Sequence, residues 1–307
     1  MWPSTKVVFW MLAERLDAAW VSLRVMGVTL SGLLLCVLVA CGLAYPVYLL
    51  SDGGIGIRAA ISRGSLLLML LGLWWVSRSM KLTPAELGVR VLEPACWKMA
   101  YTGWMLGFIM LAIHSLIVLL LDIRALDMEK LADGTRVLRG LSVALATGMV
   151  VSVIEELLFR AVMLAAFARY VGRWLATLMS AFIYASLHFF RFDPRNDPVN
   201  PDVYSGFNLL PDAFSHLLHA PMDSWLALFC AGILLATIRW RVSCGLYCCI
   251  GLHAGWVFVI KFVKPLTHNG PDPTRAFLLG PYDGLTGYLA TVWMLLLVIL
   301  NRKWARQ

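Results

Sequence analysis

The sequence predicts an all-α, polytopic membrane helical bundle of about eight transmembrane helices, preceded by an N-terminal amphipathic interfacial helix. Three observations predict it. Hydrophobic residues fill 60% of the 307 positions and charged residues only 14%, against roughly half and a quarter in soluble domains. Mean hydropathy is +0.77. The apolar residues gather into runs near the ~20 residues that a bilayer-crossing helix needs. This composition excludes an ordinary soluble globule and a disordered chain. The formal charge of +8 is what Lys and Arg in cytoplasmic loops give a membrane protein. No basic, aromatic-interleaved stretch is present to bind nucleic acid.

The elements follow in order. Residues 7–23 mix apolar and charged side chains at helical spacing, as a helix on the membrane surface does, with Trp10 and Trp20 at headgroup level. The first long apolar run begins only near Met26, after acidic and basic residues, so it is expected to remain as a span and not to be cleaved as a signal peptide. Apolar runs fall at 27–50, 64–77, 99–121, 140–168, 174–190, 225–238, 243–263 and 285–300. The second and sixth are short and must borrow flanking residues such as Ala59 to Ser62 and Ala220 to Ser224. The domain reading is therefore an interfacial helix over 1–25 and one transmembrane domain over 26–307. Alternating the spans with the N-terminus inside puts 14 Lys and Arg in inside segments and 11 outside. That bias predicts both termini in the cytoplasm.

The loops and cysteines read as bland. Asp193, Asp197 and Asp202 stand among Asp-Pro and Asn-Pro turn formers, without the spacing or glycine of a calcium loop. His216 and His219 can share the face of a partly solvated helix. Seven cysteines, mostly inside apolar runs, do not read as a disulfide framework. Cys244, Cys248 and Cys249 read as small buried hydrophobes before a metal site.

The sharpest feature is Glu155-Glu156-Leu157-Leu158-Phe159-Arg160, three charges in an otherwise uncharged 29-residue run. Each charge at a bilayer centre costs at least about 2.5 kcal/mol, so together they need partners or a wet cavity. Glu156 and Arg160, four apart, lie on one helix face in the favoured order for an ion pair. Glu155 points about 100° away and is left for other work. A buried carboxylate with no full-charge partner suits a general base. His188 ends the fifth run, with Tyr184 one turn earlier on its face. His253 lies in the seventh run, where Gly251, Ala254 and Gly255 allow close helix packing. His114, in the third run, has no such company and reads as a packing residue.

These segments resemble a known set of motifs. Glu155 to Arg160 matches EExxxR, Tyr184 to His188 is similar to FxxxH, and His253-Ala254-Gly255-Trp256-Val257 partly matches HxxxN. Their order on separate spans resembles the CPBP family of type II CAAX-prenyl endopeptidases and bacteriocin-processing or abortive-infection proteins. The motifs occupy a catalytic core over 138–263, and residues 82–89 resemble the segment that often precedes it. The resemblance implies an eight-helix intramembrane endopeptidase in a bacterial inner (plasma) membrane. Its substrate would be a membrane-associated protein or peptide. Glu155 and His188 would activate a water and His253 would help stabilise the oxyanion, with Glu156, Arg160 and Tyr184 in support. Val257 stands where the family has Asn, and it has no hydrogen to donate. A metal-free glutamate mechanism is favoured, because HExxH is missing. A divalent metal such as zinc, held by Glu156, His188 and His253, stays open as the alternative. The rival functions are a non-proteolytic immunity, chaperone or assembly factor on the same scaffold, and a proton-coupled transporter, for which no internal repeat is visible.

Overall fold

The computed structural model describes residues 5–90, 93–270 and 273–304, and these are almost wholly helical. The long helices are α1 (Thr5–Leu50), α2 (Ile57–Ser79), α3 (Pro94–Leu120), α4 (Gly134–Glu156), α5 (Leu164–Leu187), α6 (Met222–Arg241), α7 (Gly245–Val263) and α8 (Tyr288–Trp304). Six helical stretches among the described residues are long and apolar enough to cross a membrane, and Tyr288–Ile299 adds a shorter apolar one. α2 and α6 begin at Ile57 and Met222, borrowing the flanks their short apolar runs required.

Two expectations of the segmentation are redrawn. The surface segment and the first span are a single helix, since α1 runs 46 residues without interruption. Side chains before Ala19, including Trp10, lie outside the described residues, while Trp20 is exposed. The fourth and fifth runs also join, through a π-helical turn at Leu157–Met163, into one 54-residue stretch. At 1.5 Å per residue that length would cross about two bilayers. Gly172 interrupts it with φ 75°, a left-handed value that glycine adopts without penalty.

The chain forms two compact units. One gathers residues 1–81, 164–179 and 189–218. Its core packs α1 against α2 and the 192–213 segment through Cys41, Ala44, Ile57, Ile61, Phe192 and Leu209. Asp197 Oδ1 accepts the Arg58 amide at 3.0 Å, so a distant loop carboxylate satisfies the start of α2. Asp193 accepts from Arg195 and Asp202 from Tyr204 and Ser205. Asp193 and Asp202 thus each close a local turn, as the proline-rich sequence predicts, whereas Asp197 reaches a distant helix.

The other unit holds residues 82–163, 180–188 and 219–307. Its centre is α7, buried along most of its length. α3 and α7 run parallel and touch backbone to backbone. A Cβ at Gly103 or Gly107 would collide with the Cys248 and Leu252 carbonyls. One at Gly251 or Gly255 would collide with those of Ala100 and Trp104. Two GxxxG stretches thus face each other, the pattern that lets membrane helices pack without side chains between them. Gly148 brings α4 near as well, though less tightly, since a Cβ there would stand 2.8 Å from the Ala254 carbonyl.

Both ends of the α3/α7 pair are fastened. At the C-terminal ends, β1 (Arg124–Leu126) and β2 (Thr267–Asn269) pair antiparallel, with Arg124 opposite Asn269. Arg124 also donates to Thr267 Oγ1 at 2.8 Å and to the Thr267 carbonyl at 2.9 Å. At the N-terminal ends, Cys96 and Cys244 form a disulfide. This corrects the reading of the cysteines as unpaired. The separation of 148 residues carries no local signal, and only the parallel pairing brings the two together. Cys248 and Cys249 are free and buried, as expected of small hydrophobes.

Candidate active site

The residues singled out in the sequence converge within the second unit. Glu155 and Glu156 end α4 immediately before the π-helical turn, and Arg160 lies inside that turn. A π-turn inserts an extra residue into the helix and recurs at functional sites. The Phe159 carbonyl within it accepts from Ser180 Oγ at 3.2 Å.

Glu156 and Arg160 form the expected pair, Oε1 to Nη1 at 3.2 Å, with both side chains fully buried. The guanidinium also lies over the Tyr184 ring, 4.2 Å from its centroid, and against Phe159 at 5.6 Å. Arg160 Nε and Nη2 meet no hydrogen-bond acceptor among the described residues. The aromatic faces therefore carry part of the cation's stabilisation.

Glu156 has a second partner that helix geometry did not reveal. His253 Nδ1 lies 2.9 Å from the same Oε1. A carboxylate facing Arg160 is ionised and can only accept, so Nδ1 carries the hydrogen and Nε2 is directed onward. The onward direction leads to Glu155, whose Oε2 is 3.9 Å from His253 Nε2. His188 is arranged alike. Its Nδ1 lies 2.7 Å from the Tyr184 carbonyl, which can only accept, and its Nε2 lies 3.8 Å from Glu155 Oε2. Tyr184 packs edge-on to His188 at 4.5 Å and to His253 at 6.2 Å. It thus keeps both imidazoles and the guanidinium in register.

Glu155 Oε2 is buried, with no hydrogen-bond partner among the described residues. Its side chain as a whole is a quarter exposed. Separations of 3.8 and 3.9 Å are too long for direct hydrogen bonds and short enough for one water, at about 2.8 Å per arm, to bridge. A shared divalent cation does not fit these three groups, since Glu155, His188 and His253 are not among the described residues whose ligand atoms all lie within 4.8 Å of one another. Glu156, which the sequence offered as a ligand, has Oε1 engaged by Arg160 and His253.

Sequence reasoning missed two neighbours. Tyr282, in the segment before α8, has its ring 6.2 Å from that of His188. The segment is pinned by Asp283 Oδ1, which accepts the Leu285 and Thr286 amides, and by Ser224 Oγ donating to the Thr286 carbonyl. His114 Nε2 lies 3.0 Å from the Leu285 carbonyl, so the histidine read as packing anchors this segment. The second neighbour is Trp256, whose ring lies 6.3 Å from that of His253. Its Nε1 is buried and meets no acceptor among the described residues. Val257, at the position of the family Asn, is half-buried.

A carboxylate pair, with Glu156 buried and Glu155 partly exposed, thus meets an arginine and two imidazoles among apolar helices. Residues 138–259 match the Rce1-like family, described as type II CAAX prenyl endopeptidase Rce1-like. That matched region holds Glu155, Glu156, Arg160, Tyr184, His188 and His253, and it is similar to the Rce1-like CAAX prenyl endopeptidases. No curated protein and no solved structure matches the chain.

Proposed function

We propose that this chain is an intramembrane endopeptidase that hydrolyses a peptide bond of a membrane-associated protein through a water activated by Glu155 and His188. The observation that carries this reading is the position of Glu155 Oε2, between His188 Nε2 at 3.8 Å and His253 Nε2 at 3.9 Å. The chain is read as an eight-span integral protein of a bacterial inner membrane, with both termini cytoplasmic. The site then lies among the spans.

Glu155 takes a proton from the water, and the hydroxide attacks the scissile carbonyl. His188, its Nδ1 fixed on the Tyr184 carbonyl, receives or returns that proton at Nε2. His253 as imidazolium, balanced by Glu156, donates from Nε2 to the developing oxyanion. Val257 cannot supply the donor that the family Asn would. The Trp256 indole N–H, one residue earlier, takes that part. Glu156, Arg160 and Tyr184 position the two histidines and touch no substrate.

The test compares membrane-protein termini by mass spectrometry in cells carrying either this chain or Glu155→Gln, at equal amounts in the membrane. A terminus produced only by the unmodified chain is expected. Identical termini across growth conditions of the native host would favour the non-proteolytic membrane factor, the reading that Val257 supports.

A further inference from the structure

Away from the site, Glu93, Cys96 and Cys244 offer three metal-ligand atoms within 4.8 Å of one another, the one such group among the described residues. Glu93 Oε2 lies 3.7 Å from Cys96 Sγ and 3.9 Å from Cys244 Sγ. A disulfide has no proton to donate to that carboxylate. The spacing has a different meaning once the sulfurs are separate. Zinc bonds of about 2.3 Å to sulfur and 2.1 Å to oxygen give an oxygen-to-sulfur edge of about 3.6 Å in a tetrahedral site.

Three more features agree. Both cysteines are buried and Glu93 is half-exposed, so a bound ion would have two dry thiolates and one side open to water. Arg90 Nη1 lies 3.3 Å from Glu93 Oε2. Two thiolates and a carboxylate carry three negative charges, which a divalent ion and this guanidinium together balance. In sequence the group is flanked by Arg90, Lys98, Arg239 and Arg241, in the Lys/Arg-rich segments that the proposed orientation places in a reducing cytoplasm. Cysteine clusters there bind metal more often than they persist as disulfides.

We propose that Glu93, Cys96 and Cys244, in the dithiol form, are a binding site for a thiophilic divalent cation of the zinc class, completed by water. A dithiol reductant opens the site. It breaks the Cys96–Cys244 bond, leaves two thiols and closes its own sulfurs into a disulfide. Cation binding then releases the two thiol protons. The ion replaces the covalent link as the fastening of α3 to α7.

The experiment uses the purified full chain in detergent, stripped with chelator, reduced with a dithiol and titrated with cobalt(II). Alkylation and intact mass verify that both thiols are free. A thiolate-to-cobalt absorption band reaching one equivalent is expected. The band should be lost in Cys96→Ser and in Cys244→Ser, weakened in affinity in Glu93→Gln, and retained in His253→Ala, which separates this ion from one at Glu155. Free thiols without the band, a band that survives Cys244→Ser, or a disulfide that resists the dithiol in the folded protein would each overturn the proposal. Should the cysteine variants not fold, the unmodified chain decides by band or no band, and Glu93→Gln by its affinity. None of these readouts depends on proteolysis.

Discussion

Glu156 holds two partners with one oxygen, Arg160 at 3.2 Å and His253 Nδ1 at 2.9 Å. It therefore couples the charge balance of α4 to the tautomer of an imidazole on α7. Removing one member of a buried ion pair leaves an uncompensated charge and costs about 3–5 kcal/mol. Arg160→Met should destabilise by that order in thermal unfolding in detergent, and Arg160→Met with Glu156→Gln should cost less than Arg160→Met alone. Glu155 is different, because among the described residues its ion-pair contacts are with His188 and His253 and not with Lys or Arg. Glu155→Gln should leave unfolding nearly unchanged and lower turnover by about 100-fold or more, the range of a lost general base. Trp256→Phe keeps an aromatic side chain and removes the N–H together with part of the buried indole. It should lower kcat by about 100-fold with KM little changed, as expected for a donor used in the transition state. An unchanged kcat would remove Trp256 from the oxyanion site.

Among the elements, the α3/α7 pair and the π-turn decide where these groups stand. A Cβ at Gly251 would meet the Ala100 carbonyl, which is backbone and cannot swing aside. Gly251→Ala should therefore force the helices apart, costing about 1–3 kcal/mol, and displace His253, two residues on. Thermal unfolding and turnover should both fall, whereas Gly72→Ala, with nothing within 4 Å of its Cβ, should change neither. Much of this was legible. Three charges in one apolar run, a histidine beside small residues and a Tyr–His pair one turn apart pointed to Glu155, Glu156, Arg160, Tyr184, His188 and His253, which the structure brings together. The rest was not, for physical reasons. Helix periodicity assumes an α-turn, so the π-turn at Leu157–Met163 is invisible to it. The Glu156–His253 bond spans 97 residues and the disulfide 148, and no spacing rule reaches that far. Tyr282 lies in an irregular segment whose position depends on Asp283, Ser224 and His114 together.

For the molecule as a whole, the loops and the spans answer to acid differently. Arg195 hydrogen-bonds Asp193, and the Ser205 hydroxyl hydrogen-bonds Asp202, holding both carboxylates below the usual range. Lys130 does the same for Asp127. A depressed carboxylate stabilises the fold above its unfolded pKa of about 3.9 and ceases to do so as pH falls through the folded value. Proteolytic nicking of residues 191–204 should stay flat from pH 8 to about 5 and rise only below about 4. A rise near neutral pH would mean that these aspartates do not hold the loop. A change in turnover between pH 5 and 8 would then belong to the buried site and not to loop unfolding.

The close contact of α3 with α7 has a further bearing on how a polypeptide reaches Glu155. Where glycine meets carbonyl along two facing GxxxG stretches, no crevice is wide enough for an incoming chain. Lateral entry from the lipid is closed on that flank. A cross-linker planted at Met105 or Ile109 of α3 should catch lipid and not substrate. The scissile segment must arrive along a path that leaves the α3/α7 seam intact.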